Sequence, residues 1–366
     1  MKTLLSLLIF SVFAFQACTP STNDENASNQ KKLRYFTKLT GIISPYLDYK
    51  PRGEITKQQT QTLSHYKVLY DEQNRIISLK YFKGDIPSNE SYFFAHEVRY
   101  TYQSDITLRT YLDTDEKPKS MWRHYYFGDA IFQEKFFLDE KGNKSKLILL
   151  DSLGNQVASG LGSFTYTFET LDDKTFIQKQ FKQDGTPNVL TQYFPFEISK
   201  ISTDDLGHLY AISNVNEEGK LVMQETAGFA EVIFDFDQFG NEMAWRFYDT
   251  EKQLANRKPF QNMDYGYAQW VYTVDWKDQK LGLANSLYES YSDTNNEPIE
   301  NNFGIYQTKY SLDEGDNIVS ISYWNKSLEK HMHQLAGFHQ LFIDYDETGN
   351  PVKRTKMDTE GNVLEM

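Results

Sequence analysis

The sequence predicts an all-β protein in which antiparallel β-hairpin repeats form one extended, twisted or curled sheet. Three observations carry that prediction. Gly228, Gly266, Gly304 and Gly337 each stand nine residues before an aspartate, at Asp237, Asp275, Asp313 and Asp346. The residues between glycine and aspartate alternate in polarity with a period of two. The aspartates open short turns whose spacing recurs further up the chain. A fixed register of this kind marks an array of one supersecondary unit, so it decides the architecture before any single residue is weighed.

The start of the chain follows other rules. Lys2 precedes an apolar stretch over residues 4–15 that ends at Phe15-Gln16-Ala17-Cys18. Residues 1–17 therefore read as a secretory signal, too short for a good transmembrane helix and no part of the fold. The junction resembles the lipobox of bacterial lipoproteins, in which a small residue precedes the cysteine that is lipidated and becomes N-terminal. Ala17 and Cys18 match that pattern, whereas Phe15 replaces the usual leucine and Gln16 is bulkier than usual. Relaxed lipoboxes of this kind occur in Bacteroidota. Cleavage by signal peptidase I would instead place bulky Phe15 where a small side chain is wanted. Cys18 is also the one cysteine of the chain, so it has no disulfide partner within it. The resemblance implies lipidation at Cys18, a membrane partner reached through the lipid anchor, and an outer-membrane lipoprotein facing the periplasm or the surface. Residues 18–32 form the lipidated cysteine and a polar tether without large apolar side chains before Leu33. Residues 33–64 make an N-terminal segment, and residues 65–366 the repeat domain.

Within the repeats, one face collects Ala230, Val232, Phe234 and Phe236, then Ala268, Trp270, Tyr272 and Val274. Tyr306, Thr308, Tyr310 and Leu312, and His339, Leu341, Ile343 and Tyr345, continue it in the next two units. Glu231, Asp235, Gln269, Thr273, Lys309 and Asp344 fall between them. Successive side chains of a strand point to opposite faces, so this pattern buries one face and wets the other. Asp237-Gln-Phe-Gly240-Asn241 and Asp346-Glu-Thr-Gly349-Asn350 share a turn form with Asp139-Glu-Lys-Gly142-Asn143 and Asp151-Ser-Leu-Gly154-Asn155. The aspartate accepts backbone N–H groups, and the glycine takes the positive φ that closes a bulged hairpin. Asp139 to Asp151, Asp172 to Asp184, Asp237 to Asp249 and Asp346 to Asp358 are each twelve residues apart, enough for one turn and one strand. Tyr70-Asp71-Glu-Gln-Asn74-Arg75 reads as the first copy.

Composition narrows the function. The formal charge of −13 speaks against nucleic acid, whose phosphates need clustered Lys and Arg. Aromatics make up 15% of the residues, enough to bury one side of a large sheet. No Gly-x-Ser-x-Gly elbow, phosphate-cradling glycine loop or cofactor motif occurs, so no catalytic residue and no cofactor is assigned. The segment Asp235–Glu242 superficially suggests a calcium loop, but Phe239 occupies a ligand position and no helices flank it. His331 and His333 face the same way on a strand, yet they lack a third ligand, and a solvated loop explains them. One feature suggests binding. Phe229, Tyr267, Phe338 and Phe342 lie on the otherwise polar face, where successive units would align them into an aromatic row for an unidentified protein or glycan partner.

The motifs Tyr345-Asp346-x-x-Gly349-Asn350 and Tyr70-Asp71-x-x-Asn74-Arg75 resemble those of the YD-repeat group, the Rhs-like β-repeats of bacterial surface proteins and toxins. They are also similar to the Tyr-Asp/Gly-Asn repeats of bacterial lipoproteins and, more loosely, to MORN-like hairpin arrays. This chain has Gly-Asn where typical YD repeats have Gly-Arg. The resemblance implies a β scaffold and transfers no catalytic residue. The expected function is a non-catalytic binding or scaffold module of the cell envelope. The alternatives are a carbohydrate-active enzyme with a cleft on the curved sheet and an immunity or antitoxin-like repeat protein.

Overall fold

The structure is a computed structural model that describes residues 32–39, 44–121, 130–259, 264–313, 317–346 and 351–365. Its strands form a single antiparallel sheet of 24 strands, and a three-residue 3-10 turn at Gln59–Gln61 is the one helical element among the described residues. Two-residue strands at several positions extend a series of long hairpins. The first pair is Ser64–Tyr70 with Ile76–Lys83, followed by Glu97–Tyr102 with Ile106–Leu112 and Gln133–Leu138 with Lys144–Leu150. Thr165–Thr170 with Thr175–Phe181 and Ile198–Thr203 with Leu209–Asn214 continue the series. The repeats legible in the sequence come last: Glu231–Phe236 with Glu242–Tyr248, Gln269–Asp278 with Leu283–Ser292, Gln307–Leu312 with Ile318–Trp324, and Gln340–Tyr345 with Pro351–Met357. Upstream, Lys32–Leu39 pairs with both Pro51–Ile55 and Ser64–Tyr70, so the sheet reaches back through the N-terminal segment.

The sheet does not close into a barrel. Pro51–Ile55 pairs only with Lys32–Leu39, and Val363–Leu364 only with Pro351–Met357, so no ladder joins the two ends of the described sheet.

The turns follow the chemistry read from the sequence. Asp237 Oδ1 accepts the N–H of Phe239 at 2.8 Å and of Asn241 at 2.9 Å, and Asn241 Nδ2 donates to Oδ2 at 2.8 Å. Gly240, at φ +80°, donates its N–H to Asp237 O at 3.0 Å. A register shift between Asp235 and Phe236 completes the bulged hairpin. Asp139 repeats the pattern with Lys141 and Asn143. The backbone N–H of Asn143 holds the Asp139 carboxyl below its ordinary pKa, because a carboxylate that accepts hydrogen bonds favours its charged form. Asp346 is exposed, while its partner Gly349 lies outside the described residues.

The same turn is also built without glycine. Leu328 N–H donates to Asn325 O at 2.9 Å, as Gly240 does to Asp237, and Leu328 sits at φ +59°. A left-handed conformation costs an L-residue roughly 1–2 kcal/mol, and Leu328 is 58% exposed, so its side chain returns little packing. Leu328→Gly is expected to stabilise the fold by about 0.5–1 kcal/mol after the larger backbone entropy of glycine in the unfolded chain is counted. A thermal unfolding midpoint below that of the wild type would contradict this.

The core is one contiguous, aromatic-rich cluster running from Phe36 to Ile305. Residues 44–50 form a strap across the inner face of the curled sheet. Tyr46 stacks on Phe176 with ring centroids 3.9 Å apart, Ser44 Oγ donates to Gln178 Oε1 at 2.6 Å, and Tyr49 meets Phe93 at 5.5 Å. Beneath the strap, Arg109 and Glu134 are both fully buried on adjacent strands. Arg109 Nη1 donates to Glu134 Oε2 at 3.2 Å, and Nη2 donates to Leu47 O at 3.0 Å and to Asp48. Lys144 Nζ donates to Tyr46 O at 2.6 Å and to Asp48 Oδ1 at 2.8 Å, and Tyr111 donates to Glu134 Oε2 at 2.6 Å. Lys144 and Arg109 hold the Asp48 carboxyl well below the usual range. Beyond the strap, Arg52 Nη2 donates to Leu206 O and Thr37 Oγ1 to Leu281 O, each at 2.8 Å. The N-terminal strands therefore touch the tips of two distant hairpins, and this clamps the curl.

Candidate functional site

The aromatic row expected on the polar face is not an accessible surface. Phe229 and Tyr267 are 0% exposed and Phe338 is 6% exposed. The reason lies in where each strand begins. Regular pairing starts at Glu231, Gln269 and Gln340, so the ring after each glycine still belongs to the loop. Gly228 and Gly266, at φ +84° and +98°, turn the chain so that these rings point into the core instead of following the strand alternation. Phe229 packs on Phe196 at 5.5 Å and Phe247 at 4.8 Å, and Tyr267 packs on Phe247 at 6.0 Å and Tyr291 at 4.5 Å. The rings do pass from one hairpin to the next, but inside the protein. Phe342 is 37% exposed and pairs opposite Ser320, in a shallow groove that also includes Asp313 and Tyr345.

Cys18 lies outside the described residues. His333, expected in a solvated loop, is half-buried: its ring stacks on Phe303 at 4.7 Å and packs against Tyr323 at 4.8 Å. Its Nδ1 accepts the N–H of Leu335 and of Ala336, so the imidazole organises its own loop.

The inner face holds a site that the sequence reading missed. Glu289, 3% exposed, stands opposite Tyr272 on one neighbouring strand and Thr308 on the other. Tyr291 and Tyr310 both donate their hydroxyls to it, the latter at 2.8 Å. Glu242 reaches the same face by a different route. It pairs with Phe236 while Ala244 pairs with Asp235, which leaves Met243 as the extra residue of a bulge. The bulge breaks the strict alternation and brings Glu242 to Trp245, whose Nε1 donates to Oε2 at 3.2 Å. Trp245 lies 4.8 Å from Trp270, and Trp270 lies 5.7 Å from Tyr272 and 6.2 Å from Tyr291.

Electrostatics sets these two carboxyls apart from the rest. Burial pushes Glu289 up to about 7 against the pull of the Tyr291 and Tyr310 hydroxyls, and the charges of Asp264 and Glu242 add to the rise. Burial likewise pushes Glu242 up to about 7, opposed only by the Trp245 N–H. Among the described residues, neither carboxyl forms an ion pair or a hydrogen bond with a basic side chain. Arg257 Nη1 instead donates to Tyr267 OH at 3.2 Å and lies 4.0 Å from Asp264. Glu242, Trp270, Tyr272, Tyr310 and Tyr323 all keep part of their surface open to solvent. The result is an aromatic recess floored by carboxyl groups that titrate near neutrality, where they can accept or donate hydrogen bonds. A signal for Glu289 was present, because it stands between Leu287 and Tyr291 at the same parity of its strand.

No protein-family model matches the chain, and no curated protein matches it. Among solved structures, a porin-like protein from Bacteroides uniformis is similar at 11% identity, covering 72% of this chain and 90% of that one, with a TM-score of 0.25. So loose a superposition carries no argument about architecture or function.

Proposed function

We propose that the chain is a lipid-tethered, non-catalytic binding module of the cell envelope whose ligand sits in the recess around Glu242 and Glu289. The lipobox-like residues ending at Cys18 support the anchor, and the polar residues after it support a tether. One observation carries the binding reading. A carboxyl that is 3% exposed and has no basic partner among the described residues is kept at an inward position among aromatic rings, where burying a charge costs stability. Strongly perturbed groups in a recess are the usual mark of a working site.

A hydrolase needs two carboxyls with different tasks, one protonated as acid and the other ionised as nucleophile or base. Here burial raises both in the same direction, which favours binding over cleavage. The reading is tested by crosslinking and pull-down from intact envelopes with the wild type, Cys18→Ser and Trp270→Ala. The wild type is expected to retain a specific partner or glycan that Trp270→Ala loses and that Cys18→Ser loses through mislocalisation. Equal recovery from wild type and Trp270→Ala would remove the recess as the binding site.

A further inference from the structure

We infer that the recess takes a neutral saccharide, with sugar faces resting on Trp270 and Tyr272 and sugar hydroxyls bonded to Glu242, Glu289 and the indole N–H of Trp270. This rests on the binding reading above and adds the chemical class of the ligand.

Trp270 Nε1 is buried and has no hydrogen-bond partner among the described residues. A buried donor left unmade costs about 1–3 kcal/mol, so the free recess lacks an acceptor that a ligand would supply. An organic cation suits carboxyls and ring faces, yet it brings no acceptor for that N–H. An anion has acceptors but would meet two carboxyls, and the neighbouring guanidinium of Arg257 is taken up by Tyr267 and Asp264. A purely apolar ligand would strip water from Glu242 and Glu289 and return no hydrogen bond. A neutral sugar meets each demand. Its axial C–H faces are apolar, and its rim of hydroxyls donates to the carboxyls and accepts from the indole. Carboxyl groups poised near neutrality serve the same end, because each can act as acceptor or donor to a hydroxyl. The two partly open rings lie side by side, with centroids 5.7 Å apart between Trp270 and Tyr272, and Trp245 backs Trp270 from the core at 4.8 Å.

The test uses the full chain in detergent and follows tryptophan fluorescence on titration with xylohexaose, maltohexaose, cellohexaose and mannohexaose, with spermidine and an oligogalacturonate as comparison ligands. At least one neutral hexasaccharide is expected to give a saturable change, and Trp270→Phe, which keeps an aromatic face of smaller area and removes the N–H, to weaken it about fivefold to tenfold. A second measurement needs no variant: the saccharide that binds should protect tryptophan from oxidation by N-bromosuccinimide in the wild type. Saturable binding of spermidine or the oligogalacturonate, with none of any neutral hexasaccharide, would overturn the saccharide assignment while leaving a binding recess in place. Absence of all binding would overturn it too, and the envelope pull-down then decides whether the recess binds anything. Undiminished saccharide affinity in Trp270→Phe would place the sugar elsewhere.

Discussion

Replacing Arg109 with leucine is expected to destabilise the protein by about 3–5 kcal/mol, the usual result of removing one partner from a buried ion pair. Glu134 is fully buried and would lose its guanidinium partner while the Tyr111 hydroxyl stays in place. The carbonyls of Pro45 and Leu47 would each lose their guanidinium donor, at 3.3 and 3.0 Å. The loss reaches beyond the pair, because those carbonyls belong to the strap. Hydrogen exchange is expected to quicken at residues 44–50 before it quickens in the 231–248 hairpin. The double variant Arg109→Met with Glu134→Leu separates charge from packing. It removes both charges, and buried pairs replaced by apolar side chains of similar volume are often neutral in stability. It should therefore recover at least half of the loss in a denaturant titration. A double variant as unstable as Arg109→Leu would show that strap contacts, and not the stranded carboxylate, dominate the cost.

The second large effect concerns pH. The folded protein raises Glu289 from 4.5 to about 7, so the native state binds this proton more tightly than the unfolded chain does. The contribution to stability is complete below about pH 4.5, declines as pH rises, and is lost above about pH 7. At about 1.4 kcal/mol per pKa unit, the loss amounts to about 3 kcal/mol. Glu242 shifts in the same direction and steepens the same window. The other groups of the recess are Asp264, Arg257, the tyrosines 267, 272, 291, 310 and 323, and His333, whose ring packs on Tyr323. Burial raises all five tyrosines, so none of them titrates in that window. Glu289→Gln keeps the shape and an acceptor for one tyrosine hydroxyl while removing the titration. Relative to the wild type, it is expected to gain roughly 1–3 kcal/mol at pH 8 and to flatten the pH 5–7.5 slope of the unfolding midpoint. Subtracting the wild-type profile cancels the turn aspartates, which act equally in both proteins. A variant less stable than the wild type at pH 8, with an unchanged slope, would refute the shift.

Much of the fold was legible because it rests on local chemistry. Asp237, Gly240 and Asn241 specify their turn among themselves, and the alternation from Ala230 to Phe236 specifies a face. The errors begin where one residue departs from its local rule. Phe229 and Tyr267 were placed by strand parity, but the positive φ of the preceding glycine cancels parity for the next residue. Turns at Glu116, Lys252, Asn296 and Leu328 take the same left-handed backbone without glycine, so a search for glycine passes over them. Glu242 joins the recess through a bulge, which shifts parity by one residue and leaves no mark in composition. Glu289 was readable as a charge at an inward position, but on a returning strand rather than the opening strand of its unit. The strap could not be read at all, since Ser44, Tyr46 and Asp48 find their partners 134, 124 and 61 residues away along the chain.

The N-terminal strand that reaches the distant hairpins has a consequence for the order in which the protein assembles. In most repeat arrays each unit needs only its neighbours, so folding can spread from any point along the chain. Here the earliest strands emerge from the ribosome first and wait longest. Thr37 cannot make its bond to Leu281 until 244 further residues have been synthesised. Contacts of such sequence separation slow folding, because the chain between them must be ordered before they form. The opening segment is thus the first part made and the last part settled. Its closure is the step at which a string of hairpins becomes one cooperative body.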